Sequence, residues 1–278
     1  MKVGIIGLGL IGGSFGRTLI KNGHTVFGYD INSQTVNKAV MIKAIDEVLT
    51  TKNAKEVELL VVAVNPDLFE TALSPFIDSL SSGATIIDFC GTKGDVCQKM
   101  FELSKLHEGL NFIGGHPMAG KEVSGIDKSS ATLYNKASMI FVPIKADVFC
   151  LEKFKKLFLS LGFSEVVFTS ANNHDQMIAF TSQLCHVVSN AFIKNKRASE
   201  HFGYSAGSYK DLTRVARLDA NMWSSLMIEN SQNLTSELDE LIGHLKEYSV
   251  ALHNGDRNEL YRLLEEGDLR KKEIDKRN

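Results

Sequence analysis

The sequence predicts an α/β domain with a doubly wound, mostly parallel sheet, followed by an all-α domain. Short apolar runs typical of strands alternate with helical patterns between residues 3 and 168. This alternation indicates a parallel sheet that is covered by helices on both faces. After Thr169 the strand signal disappears and only helical periodicity remains. We therefore divide the chain into residues 1–169 and residues 170–278.

The predicted elements of the first domain follow one another as strand, turn and helix. Predicted strands lie at residues 3–6, 25–29, 59–64, 85–87, 111–113, 139–142 and 165–168, and predicted helices lie at 14–21 and 148–161, with two more ending near residues 80 and 106. In such a sheet ligands bind beyond the carboxyl ends of the strands. The turns that follow these strands contain residues suited to that role, namely Gly7, Asn65, Gly91 and His116.

The composition is that of a soluble globular protein, with 44% hydrophobic and 23% charged residues. No run approaches the ~18 consecutive apolar residues that a membrane span requires. A net charge of −2 gives no reason to expect nucleic acid as a partner. The four cysteines form no C-x-x-C pair, which favours free thiols in a reducing compartment over disulfides or a zinc site. We expect a cytoplasmic protein without nucleic-acid, membrane or metal partners.

The chain opens with a glycine-rich turn between a strand and a helix. Gly7, Gly9 and Gly12 form a G-x-G-x-x-G fingerprint, and Asp30 follows about twenty residues later, after the second strand. The glycines allow a tight turn, close approach of a pyrophosphate to the backbone, and close packing of the helix on the strand. The helix N-terminus favours the phosphate charge, and an acidic residue at position 30 binds the ribose hydroxyl and repels the 2′-phosphate of NADP. The fingerprint therefore predicts a Rossmann-type domain that binds NAD. The expected cofactor-binding residues are Gly7, Gly9, Leu10, Ile11, Gly12, Asp30 and Val64.

A second glycine-rich segment, Gly114 to Gly120, carries a single ionisable side chain, His116. Its three glycines and one proline predict a turn of unusual backbone shape after the strand at 111–113. Taken alone, the segment fits a solvated surface turn as well as a functional loop. Its position at a strand end, on the same side of the sheet as the glycine fingerprint, favours the functional interpretation.

The helical domain begins at Ser170, which is a suitable N-cap for a helix that runs to about Lys196. His174 and His186 lie on this helix among apolar residues. Histidines in such positions are more often core residues than ligands. Arg214 follows further along, and its pattern alone indicates a solvated charge on a helix.

A further helix is predicted from the N-cap Asp219 to about Leu252. Its apolar residues alternate in steps of four and three, as in the seam of a coiled coil. They are Leu234, Leu238, Leu241, Leu245, Tyr248 and Leu252. A stripe of this length exceeds what a small helical domain buries by itself, so we predict a homodimer formed through these helices.

Three segments of the chain together resemble the prephenate/arogenate dehydrogenase family of tyrosine biosynthesis. They are Gly-Leu-Gly-Leu-Ile-Gly-Gly-Ser at 7–14, Gly-Gly-His-Pro-Met-Ala-Gly-x-Glu-x-x-Gly at 114–125 and Lys-Asp-Leu-Thr-Arg at 210–214. The resemblance extends over nearly the whole chain. It implies a Rossmann-type domain followed by a helical dimerisation and substrate domain, without the mutase or regulatory domain that some members carry.

The resemblance also implies a reaction and a set of residue roles. The family oxidises prephenate with NAD and releases CO₂ to give 4-hydroxyphenylpyruvate, because aromatisation drives the loss of the carboxylate. By resemblance His116 is the catalytic group that accepts the proton of the ring hydroxyl, and imidazole titrates near neutrality as this step requires. His186 and Arg214 correspond to substrate-binding positions, and Arg214 would bind a carboxylate bidentately. The candidates for supporting these groups are Thr92, Lys93, His174 and Ser182.

The chain departs from the family pattern at two places. Residues 88–93 read Asp-Phe-Cys-Gly-Thr-Lys where members often have Asp-x-Gly-Ser-x-Lys, so the serine that orients the histidine is Gly91 here. Gln183 and Cys185 replace the first histidine and the proline of a Ser-His-x-Pro-His segment. These changes leave open what orients His116 and which substrate is preferred.

Three alternatives to a prephenate dehydrogenase follow from these observations. An arogenate dehydrogenase differs only in accepting the side-chain amino group of its substrate, and it gives tyrosine directly. A related β-hydroxyacid or imine oxidoreductase has the same domain plan and uses a different base, on the helical domain. A catalytically silent NAD-binding regulator is suggested by the absent serine.

Overall fold

The computed structural model describes residues 1–121 and 123–276, and the first part of the chain forms an eight-stranded sheet. The strands are β1 (Lys2–Ile6), β2 (Thr25–Tyr29), β3 (Glu47–Val48), β4 (Leu59–Val62), β5 (Thr85–Asp88), β6 (Asn111–Pro117), β7 (Ser138–Lys145) and β8 (Glu165–Phe168). Their order across the sheet is β3-β2-β1-β4-β5-β6-β7-β8. Neighbouring strands are parallel except for β6 and β7, which are antiparallel. The predicted fold class, a doubly wound and mostly parallel sheet, is confirmed.

Helices cover both faces of this sheet. They are α1 (Leu10–Lys21), α2 (Ser33–Met41), α3 (Phe69–Ile77), α4 (Gly94–Leu106) and α5 (Val148–Ser160). Side chains alternate along β4, with Leu59 and Val61 in the core that includes α1, α2 and α5, and Leu60 and Val62 in the core that includes α3 and α4. All residues of β4 are therefore buried, as expected for a parallel sheet that is covered on both faces.

The strand extends further into the glycine-rich segment than predicted and includes His116, so the chain bends only after Pro117. β6 continues to Pro117, because the antiparallel strand β7 pairs with it along this length. Gly114 and Gly115 lie outside the left-handed region of backbone conformation. Their role is close packing instead, since a Cβ at Gly115 would lie 2.5 Å from the carbonyl oxygen of Asp88. Thus His116 lies within the last residues of a strand and is held by the sheet.

The part of the chain that follows β8 forms helices. These are α6 (Ala171–Ile178), α7 (Cys185–Ile193), α8 (Gly207–Thr213), α9 (Ala220–Glu229), α10 (Ser231–His253) and α11 (Arg257–Asp275), with a π-helical segment (Ala179–Leu184) between α6 and α7. Ser170 caps α6 as predicted, because its hydroxyl accepts the N–H of Asn173 at 3.2 Å. Within residues 1–121 and 123–276, no helix is long and apolar enough to cross a membrane.

The single helix predicted from Asp219 is in fact two helices, α9 and α10, because the helix is interrupted at Asn230. Asp219 caps α9 by accepting the N–H of Met222 at 3.0 Å. Asn230 is 4% exposed. Its side-chain amide donates 2.8 Å hydrogen bonds to the carbonyl oxygen of Asp175 and to Oε1 of Gln183. These bonds satisfy a buried polar group at the break and tie α9 and α10 to α6.

Candidate active site

The glycine turn at the start of α1 has the shape that a dinucleotide requires. Gly7 has a φ of 88°, a left-handed conformation that favours glycine. A Cβ at Gly12 would lie 1.8 Å from the carbonyl oxygen of Gly7, so α1 packs on β1 more closely than any other residue allows. A Cβ at Gly9 would meet nothing within 4 Å. Gly9 is the N-cap of α1, and the first-turn N–H groups of Leu10 and Ile11 therefore lie where an anion binds favourably.

Asp30 follows β2 and faces this turn. Its Oδ2 accepts the N–H of Leu8 at 2.8 Å, and its Oδ1 accepts the N–H of Asn32 at 2.9 Å. A carboxylate accepts about four hydrogen bonds, so both oxygens retain capacity for ribose hydroxyls. Val64 lies beside Gly7, where its Cγ1 is 2.9 Å from the position that a Cβ would take. These residues fit a dinucleotide with its ribose at Asp30 and its pyrophosphate at the N-terminus of α1.

A cavity of about 960 Å³ joins the glycine turn to the helical part of the chain. The predicted site residues that line it are Gly9, Leu10, Ile11, His116, Ser182, His186 and Arg214. The other predicted residues lie outside its wall, namely Gly7, Gly12, Asp30, Val64, Thr92, Lys93 and His174. The fold thus brings the candidate base, the candidate substrate-binding residues and part of the glycine turn into one space.

His174 contacts His116 directly at the wall of this cavity. Nδ1 of His116 lies 2.8 Å from Nε2 of His174, and Nδ1 of His174 lies 2.7 Å from Oδ1 of Asp175. The Asp175 carboxylate also accepts the N–H groups of Lys93 and Gly94, each at 2.8 Å, at the N-terminus of α4. His174 and Asp175 are 1% and 8% exposed. His174 is therefore the side chain that holds the candidate base.

Burial and hydrogen bonding set the protonation states of these three groups. Burial lowers the pKa of His116 well below its ordinary value, and the nearby His174 and Lys93 lower it further. Burial also lowers the pKa of His174, although the hydrogen bond to Asp175 opposes this shift. Burial alone would raise the pKa of Asp175, but the hydrogen bonds from His174 and from the two amides at α4 outweigh it, so this pKa is lowered. The directions of these shifts favour two neutral imidazoles and one carboxylate at neutral pH.

Lys93 forms a buried ion pair with Asp88 next to the strand that carries His116. The ammonium group of Lys93 contacts the Asp88 carboxylate, and the two side chains are 1% and 0% exposed. Burial disfavours the charged ammonium, but the carboxylate outweighs this effect and raises the pKa of Lys93. Asp88 also accepts the N–H of Gly115 at 3.0 Å. Because Gly115 precedes His116, the ion pair fixes the backbone that carries the candidate base.

The hydroxyl of Thr92 does not replace the serine that family members have at position 91. It donates a 2.6 Å hydrogen bond to Oε2 of Glu229 at the end of α9. Gly91 itself lies under Leu226, whose Cδ2 is 3.3 Å from the position that a Cβ would take. Thr92 therefore connects the sheet to α9.

Arg214 lies on a segment that α7 holds through side-chain hydrogen bonds. Nδ1 of His186 donates to the carbonyl oxygen of Val215 at 3.0 Å. The hydroxyl of Ser189, which is fully buried, donates to the carbonyl oxygen of Leu212 at 2.7 Å. The backbone on both sides of Arg214 is thus anchored to α7.

Side chains from α6, the π-helical segment and α7 line the cavity. They are Ile178, Ser182 and His186, which follow one another at steps of four residues. Gln183 is buried, and its amide is bonded to α9 and to the side chain of the helix break. Cys185 is exposed and lies outside the cavity wall. Gln183 therefore connects the helices at the cavity wall, whereas Cys185 lies away from the cavity.

Three residues of this network were absent from the sequence-based predictions: Asp175, Glu229 and Asn230. Asp175 follows His174 directly, and adjacent helix residues ordinarily point apart. The local signal that could have identified it is the His-Asp pair itself at the first turns of a helix. Glu229 and Asn230 reach the site from α9 and carry no local signal, because their partners are 137 and 55 residues away in sequence.

The fold and the site define a nicotinamide-dependent dehydrogenase with a separate helical part. Residues 15–166 match the family model of the nucleotide-binding domain of prephenate dehydrogenase, and residues 170–266 match that of its dimerization domain. The chain belongs to the prephenate dehydrogenase family. The predicted family and the predicted NAD-dependent dehydrogenase class are confirmed.

Known prephenate and arogenate dehydrogenases are similar to this protein along most of its chain. It is 26% identical to the prephenate dehydrogenase of Bacillus subtilis over 269 residues, which cover 93% of this chain and 72% of that protein. It superposes with a TM-score of 0.84 and 27% identity on the Aquifex aeolicus prephenate dehydrogenase in complex with hydroxyphenyl propionate and NAD⁺, covering 99% of this chain and 98% of that one. The arogenate dehydrogenase of Synechocystis gives a TM-score of 0.82 and 25% identity, covering 99% and 100% of the two chains.

Proposed function

We propose that this chain catalyses the NAD-dependent oxidative decarboxylation of prephenate to 4-hydroxyphenylpyruvate. The observation that supports this most directly is the placement of His116. It lines the same cavity as the glycine turn and Arg214, and His174 engages its Nδ1. Nε2 is therefore the ring nitrogen available to a substrate hydroxyl.

The residues of the cavity match the demands of this reaction. NAD, when bound, accepts a hydride from the carbinol carbon of the substrate. His116 accepts the hydroxyl proton, and its lowered pKa keeps it in the basic form at neutral pH. Arg214 binds a substrate carboxylate bidentately. His186 carries its proton on Nδ1, because its partner is a carbonyl oxygen, so its Nε2 contacts the substrate.

The charge of the cavity favours prephenate over arogenate. Its cationic lining residues are Lys121, Lys128, Arg214 and Arg217. The only acidic side chain among the described lining residues is Asp219, and it is engaged as the cap of α9. Glu122 lies outside the described residues. Prephenate carries a keto group where arogenate carries an ammonium, so the cations Lys121, Lys128 and Arg217 favour prephenate.

The proposal is tested by following NADH formation with prephenate and with arogenate as separate substrates. We expect a higher kcat/KM with prephenate; a preference for arogenate would establish the alternative substrate. His116→Asn should lower kcat by about 10²–10⁴-fold. The control His107→Asn, at the end of α4 and outside the cavity wall, should leave kcat unchanged. Full activity in His116→Asn would indicate a different base, as in the β-hydroxyacid class. NAD binding without turnover of either substrate would indicate a regulator.

We also propose that the chain forms a homodimer through its C-terminal helices. The match of residues 170–266 to a dimerization domain supports this. Leu234 is 8% exposed, whereas Leu245 and Leu252 further along α10 are 57% and 63% exposed. Light scattering after size-exclusion chromatography should give a molar mass twice that of one 30.7 kDa chain. Leu252→Glu should shift the protein toward monomer. A purely monomeric wild type at micromolar concentration would contradict the proposal. We further propose that the helical domain begins at residue 170 and that the protein is cytoplasmic.

A further inference from the structure

We propose that Asp175 and His174 form a positioning pair that determines which nitrogen of His116 carries the proton, and that this pair replaces the serine absent at position 91. The inference rests on the proposed function, because it concerns the group that accepts the substrate proton. It assigns to Asp175 a role in the reaction although Asp175 does not line the cavity.

The direction of the hydrogen bonds follows from Asp175. Ionised, its carboxylate accepts hydrogen bonds only, so Nδ1 of His174 must donate across the 2.7 Å contact. A neutral imidazole carries one proton, and Nε2 of His174 is then an acceptor. Nδ1 of His116 therefore donates to it across 2.8 Å. The remaining nitrogen of His116, Nε2, carries a lone pair and serves as the base.

The surroundings of Asp175 keep it ionised and fixed in place. Two backbone N–H groups at the N-terminus of α4 donate to its two oxygens, and a helix N-terminus favours a negative charge. The residue at the N-cap of α4, Lys93, makes no side-chain cap of its own, so Asp175 caps this helix from α6. The carbonyl oxygen of Asp175 is held by Asn230 at 2.8 Å.

The side chains that could orient His116 in other ways are absent or engaged. Gly91 has no side chain, and the hydroxyl of Thr92 donates to Glu229. The charged groups that face the pair from the sheet are Lys93 and Asp88, which neutralise each other in a buried ion pair. The orientation of His116 therefore depends on His174 and, through it, on Asp175.

Three variants separate this role from a purely structural one. In His174→Gln, the side-chain oxygen accepts from Nδ1 of His116 while the amide N–H donates to Asp175, so kcat should stay within about 10-fold of wild type. His174→Leu breaks the chain of hydrogen bonds and should lower kcat by about 10²-fold or more. In Asp175→Ala, Nδ1 of His174 loses its acceptor, so the tautomers of His174 and His116 are no longer fixed. This variant should lose about 10- to 10⁴-fold in kcat, as expected when the histidine tautomer is no longer enforced, with little change in KM.

The tautomer itself is read without turnover by two-bond ¹H–¹⁵N correlation spectra of the full-length protein labelled with ¹⁵N-histidine. His116, assigned through His116→Asn, should be protonated at Nδ1 in wild type and His174→Gln and should be a mixture of both tautomers in Asp175→Ala. A wild-type His116 protonated at Nε2 overturns the inference, as does equal kcat in His174→Gln and His174→Leu. In wild type, kcat should fall at acidic pH as the catalytic base becomes protonated. The same fall should be seen in His174→Gln, and its disappearance in that variant would mean that His174 is the base. Wild type that turns over neither substrate but shows the expected tautomer contradicts the proposed function alone.

Discussion

The hydroxyl of Ser189 on α7 donates a 2.7 Å hydrogen bond to the carbonyl oxygen of Leu212, two residues before Arg214. Asn190 makes a similar bond of 3.1 Å to the carbonyl oxygen of Ala216, two residues after it. The helix that carries His186 therefore also sets the backbone position of Arg214. The proposed substrate contacts of His186 and Arg214 are therefore coupled through α7.

Replacing Arg214 with Ala should raise KM for prephenate and leave NAD affinity unchanged. A charge-assisted bidentate contact contributes about 1.5–3 kcal/mol, which corresponds to a KM increase of about 10- to 100-fold. Arg214→Lys, which keeps the charge but loses the planar fork, should give an intermediate value. Steady-state kinetics gives KM, and titration calorimetry gives NAD affinity. An unchanged KM in Arg214→Ala would count against the carboxylate contact.

Ser189→Ala should reproduce part of this effect without removing any charge. The substitution removes the hydrogen bond to the carbonyl oxygen of Leu212, which contributes about 0.5–1.5 kcal/mol. We expect a lower free energy of unfolding and a KM for prephenate that rises less than in Arg214→Ala. In the double variant with Arg214→Ala, the additional effect of Ser189→Ala on KM should vanish, because both act on one contact. A full additional effect would mean that Ser189 supports some other substrate-binding group.

Gly9→Ala should weaken NAD binding without destabilising the protein. A Cβ at this position meets nothing within 4 Å, so the melting temperature should change little. The methyl group would occupy space that a pyrophosphate needs, and overpacking of about 1–3 kcal/mol corresponds to a Kd for NAD raised by about 5- to 100-fold. Gly267→Ala, a glycine on α11 with equally open surroundings, serves as the matched control. Equal NAD affinity in both variants would contradict binding at the turn.

The fold was predictable because its signals are local. The alternation of strands and helices, the glycine fingerprint and the caps at Ser170 and Asp219 each depend on a few neighbouring residues. The error at His116 has the same origin. Glycine-rich sequence indicates a turn when considered locally, whereas pairing with β7, more than twenty residues later, makes it a strand.

The candidate site was predictable only where residue type alone carries the chemistry. His116, His186 and Arg214 bear groups suited to proton transfer and carboxylate binding, and they do line one cavity. The groups that hold them depend on contacts between distant segments. Asp175 lies 82 residues from the amide of Lys93 that it accepts, and no periodicity in the sequence encodes that contact.

The free energy of unfolding should fall as the pH is lowered from 7.5 to 5.5. The pKa values of His116, His174 and His24 are lowered in the folded protein, first of all by burial, whereas in the unfolded chain histidine titrates near 6.5. Around and below pH 6.5 the unfolded chain therefore binds more protons, and stability that is fully present above this pH is progressively lost. Each histidine contributes at most about 1.4 kcal/mol per pH unit. Asp175 adds a loss of the same sign only at more acidic pH, because its folded pKa is also lowered. Urea denaturation at several pH values measures the slope. His174→Gln removes one of these groups and should give a shallower slope than wild type. An equal slope in the two proteins would mean that His174 takes up its proton as readily in the folded state as in the unfolded chain.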